Sequence, residues 1–201
     1  MYIAMALSPK STSRAKAIVP VSLDVSASRY ARNYTLLEMA WRIVWSACGP
    51  AFRLSPRLFW GWRNSLLRGF GAKIGRGVRV DPSVKVFAPW NLSIGADTSI
   101  GYDAVLYNLG EIVIGSRVTI SQRAHLCAGT HDYSDAQMPL RKLPITVGDE
   151  VWVCADVFVG PNVHIGSQAV LGARAVVVRD VPAGAVVAGN PAQFIKSRVI
   201  K

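Results

Sequence analysis

The chain has 201 residues, 51% of them hydrophobic, enough for one domain with a substantial core plus an appendage, which excludes global disorder. Its formal net charge of +11 is lopsided: residues 1 to 73 hold eleven Lys/Arg against Asp24 and Glu38, whereas residues 74 to 201 are almost balanced. The three cysteines, Cys48, Cys127 and Cys154, are widely spaced without a CxxC, which argues against a disulfide framework or a cysteine zinc site and fits a reducing cytoplasm.

Residues 1 to 33 are rich in Ser, Ala, Lys and Arg without sustained periodicity and are expected to form a mobile basic tail. The opening MYIAMALSPK has no basic n-region, so no export signal is expected. In residues 34 to 73 an amphipathic helical segment is predicted. Leu37, Trp41, Val44, Trp45 and Cys48 recur at three- and four-residue spacing, Glu38 and Arg42 share another face, and Gly49-Pro50 should end the helix. A second apolar and basic stretch, PRLFWGWRNSLLRGFG, follows. Neither stretch reaches the roughly 20 uninterrupted apolar residues of a membrane span. Two uses stay open: packing on the main domain or a neighbouring subunit, or peripheral contact with a membrane surface.

From Ile74 to about residue 188 a six-residue repeat takes over. Aliphatic residues stand at Ile74, Val80, Val86; Ile94, Ile100, Leu106; Ile114, Ile120, Leu126; Val147, Val153, Val159; and Ile165, Leu171, Val177. Small or aliphatic residues dominate a second column four places later. A sandwich of short strands would alternate with period two and variable spacing. The fixed period of six instead predicts a parallel β-helix, an all-β fold of about five three-strand coils whose aliphatic column fills the interior. The step between triplets is eight residues after Val86, eight after Leu106 and twenty-one after Leu126, so every excess falls on one corner. The largest excess is a protruding loop, residues 127 to 146. Tyr107, Asn108 and Asp103 are expected near its base. Beyond the repeat, residues 189 to 201 form a C-terminal cap whose basic groups suit phosphate.

A long loop on a rigid scaffold commonly positions functional residues. THDYSD places His131 there, next to Asp132, and an imidazole titrating near neutrality suits proton abstraction from a hydroxyl. His125 and His164 read as turn residues, and Cys127 and Cys154 as packing residues. The charge balance of the repeat and the lack of an aromatic-basic platform argue against nucleic-acid binding.

THDYSDAQMPL, ITVGDEVWV, VFVGPNVHIG and VVVRDVPAGAVVAGNPA, on the hexapeptide columns, resemble the left-handed β-helix acyltransferases, most of all their exopolysaccharide-biosynthesis acetyltransferases. The resemblance covers about residues 58 to 198. It implies a left-handed coil, a homotrimer with acetyl-CoA between adjacent prisms, and acetyl transfer to a hydroxyl of a sugar or lipid-linked oligosaccharide acceptor. It also implies that His131 is the catalytic base and that Trp152 lies near the active site. Ala155, Ala173, Val178, Arg179 and Lys196 match CoA-contacting positions, the first two through backbone groups. Asn108, and beside it Tyr107, fall where relatives bind the acceptor, and Asp132 and Trp152 are expected to bind substrate with them. Asp132 stands where sugar acetyltransferases with a GHP loop carry proline, so their acceptor contacts do not transfer. No metal is implied. Two alternatives remain: a non-catalytic scaffold, and a γ-type carbonic anhydrase, whose histidine pair five residues apart is not matched by His125, His131 and His164.

Overall fold

The computed structural model describes residues 22 to 200, and residues 1 to 21, most of the expected tail, lie outside the described residues. Of the remaining part of that tail, Val25–Tyr30 forms the short helix α1. Two longer helices follow, α2 (Leu36–Arg53) and α3 (Trp60–Gly69).

The repeat then winds as expected. The first coil holds β1 (Lys73–Ile74), β2 (Arg79–Val80) and β3 (Lys85–Val86), and the second β4 (Leu92–Ile94), β5 (Ser99–Ile100) and β6 (Val105–Tyr107). The third coil holds β7 (Ile112–Ile114), β8 (Thr119–Ile120) and β9 (His125–Cys127), after which β10 (Gly129–His131) and β11 (Leu140–Lys142) leave the prism. The fourth coil is β12 (Ile145–Val147), β13 (Trp152–Val153) and β14 (Phe158–Val159), and the fifth β15 (Val163–Ile165), β16 (Val170–Leu171) and β17 (Val176–Val177). Above them β18 (Ala185–Ala188) and β19 (Gln193–Ser197) close the far end as an antiparallel pair.

Three parallel walls result. The first stacks β1-β4-β7-β12-β15, the second β2-β5-β8-β13-β16-β18, and the third β3-β6-β9-β14-β17. All fifteen residues of the aliphatic column are buried, as expected from side chains that point alternately into and out of a pleated wall. Truncating one of the larger ones, such as Leu126 at 0% exposure, to alanine should cost about 2 to 5 kcal/mol. His125 and His164 are not turn residues. Both lie on strands with outward side chains, half-buried on the third wall and exposed on the first.

The helices solve a problem that any stacked coil has at its ends, a row of unpaired carbonyls. Each strand of the first coil has its last carbonyl taken by a side chain. Arg68 Nη2 donates to Ile74 O (2.9 Å), Arg63 Nε to Val80 O (2.7 Å) and Trp45 Nε1 to Val86 O (2.8 Å). Asn64 Nδ2 adds a bond to Val78 O, and Leu67 seals the apolar interior. Packing on the main domain is therefore one settled use of this segment.

Gly49-Pro50 does not end α2, which continues to Arg53 with Pro50 inside it. Proline removes one backbone donor, and the extra turn buries Phe52 edge-on against Trp45 with ring centroids 5.9 Å apart. The inward stripe also differs from the expected one: Trp45 and Phe52 are buried, whereas Leu37, Trp41 and Val44 remain exposed.

The expected loop is a β-hairpin, with Gly129 opposite Lys142 and His131 opposite Leu140. Its base rests on the widened corner of the second coil. Ala128 N–H donates to Tyr107 O, and both Gly110 and Leu143 N–H donate to Ala128 O. The approach is close enough to require glycine at position 110, where a Cβ would lie 2.5 Å from Leu143 O. Asp103 is not near this base, because it sits on the corner between the second and third walls while the hairpin grows from the corner between the third and first.

Candidate active site

His131 is the last residue of β10, and its Nδ1 lies 2.7 Å from Met138 O. A carbonyl only accepts, so Nδ1 carries a hydrogen, and in the neutral ring the lone pair is then on Nε2. Met138 holds that carbonyl in place from a left-handed backbone conformation, φ 47°, with its own N–H bonded to Asp135 O. The hairpin is pinned from the side by Asp132, which accepts from Ser134 and from Arg141 Nη2 at 2.9 Å. The Ser134 hydroxyl first, then Arg141, hold the Asp132 carboxyl below its ordinary range. Asp132 therefore stiffens the hairpin rather than lining the cleft.

The cleft beside His131 has a volume of about 470 Å³ and is lined by Tyr107, Leu109, Met138, Leu140, Arg29, Asn33 and Tyr34. Burial pushes the Tyr107 phenol up, aided by Tyr34 and Cys127 and opposed by Arg42, so the ring keeps its hydroxyl proton for hydrogen bonding. Arg29, Asn33 and Tyr34 were absent from the expected site. Arg29 comes from α1, and Asn33 and Tyr34 from the stretch joining α1 to α2; Asp24 N–H, just before α1, bonds Ala136 O of the hairpin, and Lys142 of the hairpin meets both Glu38 of α2 (3.5 Å) and the Tyr34 ring (4.3 Å).

The structure gives Asn108 a role other than acceptor binding. It is fully buried, its Oδ1 accepts from Phe87 and Ala88 N–H at 3.0 Å each, and its Nδ2 donates to Ala88 O at 2.6 Å. It clamps the widened corners of the first two coils together.

The remaining expected residues lie apart from His131 within one chain. Trp152 is exposed on the second wall, with Nε1 donating to Ser121 Oγ at 3.1 Å. Ala155 and Ala173 stack on the corner between the second and third walls, where Arg174 N–H bonds Ala155 O. Val178 and Arg179 are exposed on the hairpin's own corner, two coils further along, and Lys196 is on β19 at the end of the second wall. Cys127 and Cys154 are free and half-buried, and burial raises the Cys154 thiol, which keeps it protonated.

A prism of hexapeptide coils with a histidine-bearing hairpin at one corner defines a class of enzyme: the chain belongs to the hexapeptide-repeat acetyltransferases, and its coil is the left-handed β-helix of that class. It is 44% identical over 158 residues to the putative colanic acid biosynthesis acetyltransferase WcaF of Escherichia coli, covering 79% of this chain and 87% of that one. To the galactoside O-acetyltransferase of the same organism it is 30% identical, over 67% of this chain and 68% of the relative. Among solved structures, a hexapeptide-repeat acetyltransferase from Vibrio cholerae complexed with acetyl coenzyme A superposes with a TM-score of 0.75 at 26% identity, covering 84% and 92% of the two chains. No family model matches the sequence.

Proposed function

We propose that the protein is an O-acetyltransferase that moves the acetyl group of acetyl-CoA to a sugar hydroxyl during exopolysaccharide assembly. The observation that carries this reading is the 2.7 Å contact of His131 Nδ1 with Met138 O. With Nδ1–H bound to Met138 O, Nε2 is left to accept the proton of an acceptor hydroxyl in the cleft. The oxygen then attacks the thioester carbonyl, the C–S bond breaks, and the proton taken by His131 passes to the departing CoA thiolate. Tyr107, Arg29, Asn33 and Tyr34 supply the acceptor's hydrogen bonds.

Ala155, Ala173, Val178, Arg179 and Lys196 hold CoA, with Trp152 beside the reacting group. Because Trp152, Ala155 and Ala173 occupy a different wall and corner from His131, the reading includes a homotrimer in which a neighbour supplies one half of each site. Replacement His131→Ala should lower kcat by about 10²- to 10⁴-fold, read as thiol release from acetyl-CoA with sugar acceptors. CoA affinity by calorimetry should stay near wild type. Turnover at the wild-type rate would remove His131 as the base.

Work at the cytoplasmic surface of a membrane belongs to the same reading. The outer face of α2 carries Leu36 (82% exposed), Met39 and Ile43 (69%), continued by Leu54 (84%) just past its end, without an acidic residue, inside the strongly basic first 73 residues. That combination suits an anionic lipid surface, the three cysteines are free as a reducing compartment requires, and no helix among the described residues is long and apolar enough to cross a membrane. Ile43→Glu should abolish sedimentation with phosphatidylglycerol vesicles. Sedimentation equal to wild type would exclude the α2 face as the contact.

A further inference from the structure

A second cavity, of about 500 Å³, adjoins the His131 cleft. Leu109 forms part of the floor of both, and the strand β11 runs past both, Leu140 lining the first and Lys142 the second. These two residues are two apart on one strand, so they share a face and their Cα atoms lie about 7 Å apart, roughly the span of one pyranose ring. The wall between the cavities is thin. Tyr34 lines the first and its neighbour Thr35 the second, and the Tyr34 ring sits against Lys142.

The lining of this second cavity has a definite chemistry. Two indoles face it, Trp41, 44% exposed at the edge of Phe70, and Trp90, half-buried on the turn Pro89–Asn91. Glu111 lines it with an exposed carboxylate that makes no hydrogen bond or ion pair among the described residues. Lys142, shared with Glu38, brings an ammonium donor. Indole faces pack against the C–H faces of a sugar ring, and a carboxylate and an ammonium bind its hydroxyls. An acyl chain would desolvate the Glu111 carboxylate without giving it a partner, which is costly.

We propose that this cavity is a second acceptor subsite, which holds the sugar next to the one acetylated at His131, so that the enzyme selects an oligosaccharide over a free monosaccharide. The inference rests on the acetyl-transfer reading above and deepens it. Binding energy gathered at Trp41 and Trp90, away from the reacting hydroxyl, fixes that hydroxyl against Nε2.

The test compares methyl glycosides of galactose, glucose and fucose with the di- and trisaccharides of each series, by thiol release from acetyl-CoA. One aromatic contact of ordinary strength makes kcat/KM for the best oligosaccharide about tenfold higher than for its methyl glycoside, mostly through KM. Trp41→Leu and, separately, Glu111→Gln should bring that ratio towards one, with coenzyme A still raising the melting temperature of each variant as proof of folding. A ratio of one in the wild type, or a ratio that survives both substitutions, overturns the subsite while leaving acetyl transfer standing. If no acceptor is turned over, acetyl transfer to these sugars fails instead, and saturation-transfer NMR of the trisaccharides on the CoA-bound protein decides the subsite alone. Saturation that reaches the sugar protons in the wild type and fades in Trp41→Leu supports the subsite. No saturation in the wild type, or equal saturation in the two proteins, overturns it.

Discussion

Met138 and His131 show how a side chain's chemistry is set by a main-chain atom. Any residue at position 138 offers a carbonyl, so the contact that fixes the imidazole tautomer leaves no mark in the sequence, whereas the histidine itself is conspicuous at the break in the repeat. The half-buried imidazole of the third wall carries a different consequence. His125 lies between Tyr107 and Phe158, its Nε2 is buried without a hydrogen-bond partner among the described residues, and burial lowers it from the ordinary imidazole value of 6.5. As pH falls through that value the unfolded chain takes up the proton first, so stability declines between 6.5 and the lower folded value and is flat above. His125→Phe, which continues the ring ladder with Phe158, should flatten that acid decline. Denaturant midpoints measured from pH 5 to 8 check it, and an unchanged decline would assign the acid sensitivity to another group.

At the scale of elements, the coils were readable and their lids were not. Fifteen Ile, Leu or Val residues at fixed spacing report a buried column directly, because burial selects side chains. The corner insertions reported the hairpin's root for the same reason of counting. The caps work through polar side-chain donors, two of them arginines, and an arginine in a helix ordinarily reads as surface. Arg63 is fully buried, with Nε on Val80 O, Nη1 on Ser55 Oγ and Pro56 O, and Nη2 on Arg57 O; burial lowers it and Asp81 opposes that. Arg63→Met retains most of the volume but strands several carbonyls at the open end of the prism. It should destabilise the fold by about 3 kcal/mol or more, read in chemical denaturation. A loss below about 1 kcal/mol would mean that water replaces the guanidinium at no cost. The end of α1 and its connection to α2 were equally illegible as part of the site, since Arg29, Asn33 and Tyr34 line the His131 cleft where this stretch is tied to the hairpin.

The whole molecule presents its candidate site residues in two groups. His131 and its cleft belong to the corner between the third and first walls, while Trp152, Ala155 and Ala173 belong to the second wall and its corner with the third. A wall of six residues separates successive corners by on the order of 15 Å, too far for one chain to bring both groups onto one thioester. A cyclic trimer unites them if the His131 edge of each subunit faces the second wall of the next. The arrangement makes a quantitative prediction. On the trimeric reading proposed above, with CoA at Ala173, His131→Ala and Ala173→Trp, each inactive alone, damage opposite halves of the site, so every trimer containing both kinds of subunit has one junction in which both halves are intact. Random one-to-one reassembly gives mixed composition to about three quarters of the trimers, and one working junction of three in each restores about one quarter of wild-type activity. The measurement is thiol release after the two variants are unfolded together and refolded, against each refolded alone. Recovery near one quarter requires a shared site. No recovery, with mixed trimers demonstrated by mass spectrometry, would place His131 and Ala173 in the same half.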